Sequence, residues 1–175
     1  MVLEVAVLAV ALAFIGLILA YTLITGMPPM PTAPHIKRVL LNAVPAELDG
    51  TIYELGSGWG TLAFPLARRH PGCRVVAIEL SPLPWLVSRL WQVVRRLPNL
   101  TLRRADFFKV PLDDATLVVC YVQTDTMTRL RAKFEAELPP NAHVLSNTFA
   151  VPGWKPETVH ETRDMYATKV YLYRV

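Results

Sequence analysis

The sequence predicts an α/β protein with a doubly wound, mostly parallel sheet, a C-terminal antiparallel hairpin and one preceding N-terminal transmembrane helix. Three observations lead to this prediction. An uncharged apolar run occupies residues 5–24, strand-like and helix-like segments alternate after it, and two strand-like runs come last. Such alternation is typical of sheets that are covered by helices on both faces and bind ligands at the carboxyl ends of their strands.

The apolar run is the first element. Its length is about the 20 residues that a helix needs to cross a ~30 Å hydrocarbon core. A cleaved signal peptide would carry basic residues before the run, but Glu4 is the only charged side chain there. A buried core helix is rarely this long without a charge. Lys37 and Arg38 follow the run, which favours a single-pass membrane protein with its remaining chain in the cytoplasm.

The expected domain organisation has three parts. Residues 1–26 form the transmembrane anchor, residues 27–34 a linker, and residues 35–175 one α/β domain. The linker is rich in proline, which cannot continue a helix and favours an extended chain.

Hydrophobic periodicity and turn residues place the elements of the domain. The expected helices cover residues 35–44, 61–70, 81–97 and 126–138. The expected strands cover residues 51–55, 74–80, 100–105, 115–122 and 142–150, followed by a hairpin over 158–164 and 167–175. Ser81 is the expected N-cap of the third helix, with proline in its first turn.

Composition narrows the possible chemistry. The formal net charge is +4, with arginine pairs at 68–69, 95–96 and 103–104. On an anchored protein these pairs suit anionic lipid headgroups or solvent better than nucleic acid. Cys73 and Cys120 lie in apolar strand-like runs, which predicts buried thiols in a reducing compartment. No CxxC pair occurs and the histidines are scattered, so no metal site is predicted.

A glycine loop is the most informative motif. Glu54 ends an apolar strand, and Gly56, Gly58 and Gly60 follow it before the next helix. Glycines let a ligand approach the backbone, and the exposed N–H groups at a helix start attract negative charge. Thr61 stands where the dinucleotide motif GxGxxG would have its third glycine, which weakens a dinucleotide interpretation.

Acidic residues also follow the next two strands. Glu79 can accept hydrogen bonds from both hydroxyls of a ribose, or it can merely cap the following helix. Asp106 can accept from the amine of adenine while Phe107 lies against the ring, or it can be an ordinary turn aspartate beside a core aromatic. Polar residues at three successive strand ends together favour an adenosine-containing ligand.

These residues resemble the class I S-adenosylmethionine-dependent methyltransferases over most of residues 30–175. The resemblance implies a Rossmann-like methyltransferase fold and S-adenosylmethionine as cofactor, with its methionine part at Glu54 and the glycine loop, its ribose at Glu79 and its adenine at Asp106. The cofactor-binding residues expected on this basis are Thr32, Glu54, Gly56, Ser57, Gly58, Gly60, Glu79, Asp106 and Phe107.

A narrower resemblance is to the small membrane-anchored protein-lysine methyltransferases related to the mitochondrial ATP synthase c-subunit lysine methyltransferase. It rests on five segments: PTAP (31–34), YELGSGWG (53–60), AIELSP (77–82), VPGWKP (151–156) and the VYLYR ending (170–174). Two departures stand out. Trp59 stands where the family usually has an aspartate in the glycine loop. The segment that usually reads histidine-aspartate-phenylalanine is Asn147-Thr148-Phe149 here, so its first two residues differ.

The predicted function is membrane-anchored methyl transfer, with protein lysine as acceptor by resemblance. A lipid or small hydrophobic acceptor and a non-catalytic cofactor-binding module are the alternatives. The expected partners are the bilayer and a protein substrate, which the anchor would bring close to membrane-embedded targets. Residues 120–125 lack the Asn/Asp-Pro-Pro-aromatic motif typical of methyltransferases that act on the amines of nucleic-acid bases, which counts against a nucleic-acid substrate.

Five residues are candidates for contact with the acceptor substrate. They are Gln123, Asp125, Trp154 and the two catalytic candidates Tyr121 and Asn147.

Overall fold

The computed structural model describes residues 2–26, 30–162, 165 and 167–175. The helices among them are α1 (Val2–Thr25), α2 (Pro34–Ala43), α3 (Ala63–Arg69), α4 (Pro82–Arg95) and α5 (Thr124–Glu137). The strands are β1 (Thr51–Leu55), β2 (Arg74–Glu79), β3 (Leu100–Arg104), β4 (Ala115–Cys120), β5 (His143–Asn147), β6 (Thr158–Glu161) and β7 (Lys169–Arg174).

The described strands form one sheet in the order β3-β2-β1-β4-β5-β7-β6. Strands β1 to β5 are mutually parallel, and β7 runs antiparallel to both β5 and β6. Chain order reverses on the two sides of β1, since β2 lies on one edge of it and β4 on the other. A crevice therefore opens above the carboxyl ends of β1 and β4, where doubly wound sheets bind ligands.

Two apolar layers enclose the sheet. Side chains of α2 and α3, together with Trp85 of α4, pack on one face, and Met127, Leu130 and Phe134 of α5 pack on the other. All five residues of β1 are buried, as expected for the centre of a parallel sheet covered on both faces. The predicted fold class and C-terminal hairpin are confirmed, because the alternating apolar segments have partners on both sides.

The predicted elements agree with the structure apart from shifts of a few residues at their ends. Ser81 occupies the N-cap position of α4 and Pro82 its first turn, but the Ser81 hydroxyl makes no capping hydrogen bond. Its backbone N–H instead donates to Glu79 Oε1 at 2.7 Å. Residues 27–29 of the expected linker and 163–164 of the expected hairpin lie outside the described residues.

Helix α1 is apolar and none of its residues is buried. It has 24 residues and an 18-residue window of mean hydropathy 2.8, none of it buried. By length and composition it can cross a bilayer, and an N-terminal signal sequence shares these properties.

Both cysteines are free thiols in the core, which confirms their predicted burial. Burial raises the pKa of the Cys120 thiol to about 12, so it stays protonated at neutral pH. The reducing compartment remains a prediction.

Candidate active site

A cavity of about 280 Å³ lies at the carboxyl ends of the parallel strands. It is where the change in strand order places a ligand site. The structure brings most of the sequence-predicted site residues to its wall. These are Thr32, Glu54, Gly56, Ser57, Gly58, Glu79, Asp106, Phe107, Tyr121 and Asn147.

The glycine loop forms the floor of this cavity and is fixed by backbone hydrogen bonds. The N–H groups of Gly56 and Ser57 both donate to Ile78 O at 2.9 Å. The N–H of Gly58 donates to Glu79 Oε2 at 2.7 Å. A Cβ atom built on Gly56 or Gly58 would meet nothing within 4 Å, so the loop leaves open space where a side chain would stand.

Gly60, by contrast, lies outside the cavity lining and serves packing. A Cβ atom there would lie 2.8 Å from Cε2 of Phe64 and 3.0 Å from Oγ of Ser88. Its φ of +73° also disfavours any residue with a side chain. The glycine at this position therefore lets α3 and α4 approach the loop.

Glu54, the last residue but one of β1, carries a buried carboxyl group. Its Oε2 atom has no hydrogen-bond partner among the described residues. Burial, and then the negative charge of Glu79, raise the pKa of Glu54 to about 8. A buried oxygen without a partner is costly, and beside a cavity it suits a ligand that carries a positive charge or an N–H group.

Glu79 connects the glycine loop to the start of α4. One carboxylate oxygen accepts from Gly58 N–H and the other from Ser81 N–H, each at 2.7 Å. The helix-capping interpretation of this residue is therefore correct in part. Carboxylate oxygens accept more than one hydrogen bond, so these contacts hold the group in place and leave capacity for ligand hydroxyls.

Asp106 begins a short 3₁₀ turn, Phe107–Lys109. Its Oδ1 accepts a hydrogen bond from Phe108 N–H at 2.9 Å, as expected for an ordinary turn aspartate. Asp106 also lines the cavity, as expected for a ligand-binding residue. The rings of Phe107 and Phe108 have centroids 4.8 Å apart. The Arg129 guanidinium of α5 lies 4.0 Å from the Phe108 ring centroid and borders the same cavity.

The substrate-side candidates divide into two groups. Tyr121, Gln123 and Asn147 line the cavity, and the Tyr121 ring stacks on Phe149 with centroids 6.3 Å apart. Asp125 and Trp154 are outside the lining. Trp154 packs against Phe134 and Tyr173 and donates from Nε1 to Glu135, because the loop after β5 folds it toward α5.

Several wall residues were missed by the sequence analysis. Thr126 and Arg129 stand three positions apart on one face of α5, a spacing that was a usable signal. Ile24 and Thr25, at the end of α1, also border the cavity, and no local pattern indicates this contact. Trp59 is outside the lining, so its indole does not fill the space.

The family comparison decides the identity of this site. The ANTKMT methyltransferase domain family matches residues 54–158, which include the glycine loop, Glu79 and Asp106. The chain belongs to this family. Its activity is S-adenosylmethionine-dependent methyl transfer, and the predicted resemblance is confirmed.

Two curated relatives and one solved structure are similar to this methyltransferase. It is 27% identical over 155 residues to a protein-lysine N-methyltransferase of Saccharolobus islandicus, covering 84% of this chain and 92% of the relative. It is 29% identical over 144 residues to the human ATP synthase c-subunit lysine N-methyltransferase, covering 72% and 59%. An RNA methyltransferase of Salinibacter ruber in complex with S-adenosyl-L-homocysteine superposes with a TM-score of 0.71 and 25% identity, covering 83% and 94%.

The chemistry of the cavity fits S-adenosylmethionine. The cofactor carries a positive sulfonium and an amino group, and the unpartnered Oε2 of Glu54 is a buried acceptor for positive charge. The open sides of Gly56 and Gly58 leave room beside it. Within the described ranges, no three His, Cys, Asp or Glu side chains come together to hold a metal ion.

Proposed function

We propose that this methyltransferase is a single-pass membrane protein that methylates lysine side chains of proteins at the cytoplasmic membrane surface. The names of both relatives support lysine as the acceptor. The observation that carries the proposal is the position of Ile24 and Thr25, because the apolar helix α1 ends at the wall of the methyl-transfer cavity. An enzyme anchored through α1 would hold this cavity beside the bilayer. Its partners would be lipid and a membrane-associated protein, without nucleic acid.

Each side of the cavity has a proposed role in cofactor binding. Glu54 balances the positive charge of the methionine part, which lies along Gly56 and Gly58. Glu79 accepts from the ribose hydroxyls through the lone pairs that its two backbone contacts leave. The remaining contacts are Ser57 and Thr32 at the wall, Asp106 at the adenine amine and Phe107 at its ring.

The residues of this chain then align the acceptor and keep water out. S-adenosylmethionine supplies a methyl group already activated by its sulfonium, so no dedicated base is required for an in-line displacement. The acceptor lysine would attack as the neutral amine, and the apolar wall and nearby positive charge would lower its pKa toward that form. The new N–C bond would replace the S–C bond of the donor, S-adenosylhomocysteine would leave, and the methylated ammonium would lose its proton to water. Tyr121, stacked on Phe149, offers an aromatic wall for the lysine chain. The side-chain amide oxygen of the buried Asn147 can accept a hydrogen bond from the amine of the acceptor lysine.

Transfer of a radiolabelled methyl group into native membranes tests the proposal. We expect label in membrane protein, with a methylated lysine in its hydrolysate. Label confined to extracted lipid would contradict lysine as the acceptor. A protein that binds the cofactor in calorimetry but transfers no label would be a binding module instead.

Calorimetry of the Glu79→Ala and Asp106→Ala variants tests the cofactor assignment separately. We expect each substitution to weaken S-adenosylmethionine binding by at least about tenfold, since each removes charge-assisted hydrogen bonds worth ~1.5–3 kcal/mol. Asp125→Ala is the matched control, because Asp125 is an acidic residue outside the cavity lining. Undiminished binding in both test variants would refute the assignment.

A further inference from the structure

Helix α4 turns two polar side chains, Ser88 and Gln92, toward the domain. Ser88 is buried, and its hydroxyl lies 3.0 Å from Pro84 O and 3.2 Å from Gly58 O. Gln92 Nε2 donates to Leu100 O at 2.6 Å. A helix that only covers a sheet in water places its apolar stripe inward and its polar face outward. The core-facing side of α4 includes Trp85, but it departs from that pattern at Ser88 and Gln92.

The opposite face of α4 is apolar and exposed. Leu90 is 62% exposed, and Val93 and Val94 are each 73% exposed. With Leu86 they follow helical spacing and form what we call the outer stripe: Leu86, Leu90, Val93 and Val94. A contiguous apolar patch on a helix face marks a binding surface, because water is an unfavourable neighbour for it.

Helix α4 begins beside α1. Leu17, Ile18 and Tyr21 of α1 border one small cleft together with residues 81–84, at the start of α4. The Tyr21 hydroxyl accepts from Arg104 Nη2 at 3.3 Å. The first turn of α4 therefore lies beside the last turns of α1, near the end of α1 that would leave the hydrocarbon if it spans the membrane. Tyrosine and arginine are common at the ends of membrane-spanning helices.

A basic residue and a tryptophan flank the outer stripe. Helical spacing places Arg89 along one side and Trp91 along the other, both exposed, and the exposed Arg96 follows as the C-cap of the helix. Arg95 turns toward the domain, with its guanidinium 5.0 Å from the Phe64 ring centroid and 5.2 Å from that of Trp91. An apolar stripe bordered by basic side chains and tryptophan complements an anionic lipid surface, where the stripe enters the acyl boundary and the arginines meet phosphates.

We propose that α4 is a second membrane contact, whose outer stripe lies in the headgroup and upper acyl region of an anionic bilayer. This inference rests on the proposed anchoring by α1. Two contacts fix the orientation of the domain, whereas one spanning helix leaves it free to rotate. The cavity between α1 and the glycine loop would then face membrane-associated substrates at a constant height.

Fluorescent labelling of the full-length chain tests this contact. Val94→Cys is labelled with a nitrobenzoxadiazole dye and reconstituted into phosphatidylcholine vesicles with or without phosphatidylserine. Both native cysteines are buried, which restricts labelling to the new thiol. We expect a shift of emission to shorter wavelength and quenching by lipids with a nitroxide on the upper acyl chain, both stronger with phosphatidylserine. Ala136→Cys, exposed on α5 on the other face of the sheet, is the control and stays unquenched.

A Leu12→Cys label in α1, tested with lipids that carry the nitroxide near the end of the acyl chain, separates this inference from the anchoring proposal. Quenching at Leu12 with none at Val94 would overturn the α4 contact and leave the anchor standing. A shifted but unquenched Val94 label would mean that protein covers the face, which also overturns it. Absence of quenching at both positions would refute both proposals.

A charge on the outer stripe provides a second test. Leu90→Asp in the Val94→Cys background places a carboxylate in the proposed lipid contact, where it is unfavourable. We expect loss of quenching at Val94 with unchanged cofactor affinity, since Leu90 is exposed and outside the cavity lining. Retained quenching would contradict the contact.

Discussion

At Glu54, burial and cofactor binding are linked through one proton. The desolvated carboxyl has its pKa raised to about 8, mainly by burial and then by Glu79. At pH 7 only about one molecule in ten then carries the carboxylate. A cationic ligand binds that form better, so its binding would release a proton and the protonated majority would reduce the apparent affinity.

We therefore expect S-adenosylmethionine to bind about tenfold more tightly at pH 9 than at pH 7, because the carboxylate fraction rises by about that factor. The affinity rises with pH because the pKa of Glu54 is raised, so its carboxyl group ionises as pH passes through about 8. Calorimetry in buffers of different ionisation heat measures affinity and proton release together. Glu54→Gln is the control, and it should bind more weakly with the pH dependence of the ligand alone. An equal pH slope in both proteins would contradict the linkage.

Gly58 and Gly60 form a matched pair because both have positive φ, of +53° and +73°. Gly60→Ala puts a methyl group against Phe64 and Ser88, so we expect a loss of about 2 kcal/mol or more in the free energy of unfolding. Gly58→Ala meets no atom and costs about 1 kcal/mol of backbone strain, but its methyl group stands in the space proposed for the cofactor. Denaturant unfolding and calorimetry should therefore rank the two variants in opposite orders. The same order in both assays would contradict the assignment.

Among the elements, the 3₁₀ turn at Phe107–Lys109 combines a structural contact with a proposed ligand contact. Asp106 Oδ1 caps the turn through Phe108 N–H. Its proposed contact with adenine would use the rest of the carboxylate. One side chain then serves local structure and binding, which explains why an ordinary turn signal and a nucleoside signal coincide in the sequence.

Replacing Asp106 in two ways separates these contacts. Asp106→Asn keeps an oxygen acceptor for the cap, so we expect unfolding free energy within about 0.5 kcal/mol of the wild type, while Asp106→Ala loses about 1 kcal/mol. Both variants lose the carboxylate and should bind S-adenosylmethionine more weakly. Chemical denaturation and calorimetry measure the two effects. Wild-type affinity in Asp106→Asn would show that the charge of Asp106 is not used.

For the whole molecule, membrane insertion and cofactor binding should depend on different parts of the chain. Leu8 and Leu12 lie in α1 and are exposed, far along the chain from Ile24 at the cavity. The Leu8→Arg/Leu12→Arg variant should leave the membrane fraction, because arginine at a helix centre costs about 2.5–3.5 kcal/mol per residue on insertion. Carbonate extraction followed by calorimetry checks both properties, with Leu8→Ala/Leu12→Ala as control. A double-arginine variant that stays in the membrane pellet would contradict anchoring through α1.

The sequence by itself determined the elements, the sheet class and the acidic residues of the cavity wall. Periodicity, glycines and prolines act over a few residues, so strands such as β1 and helices such as α5 can be predicted locally. Residues that follow parallel strands also share one edge of the sheet, which allowed Glu54, Glu79 and Asp106 to be grouped before any coordinates.

Tertiary structure alone decided which way each side chain of that edge turns. A Cβ atom on Gly60 would meet Phe64 and not the cavity, and Trp154 packs on Phe134. Ile24 lines a cavity most of whose other wall residues are distant from it in sequence. The outward position of the apolar face of α4 was also undecided, because periodicity gives the angle between side chains but not which face meets the sheet. These contacts depend on packing between distant segments, and such packing leaves no local signal in the sequence.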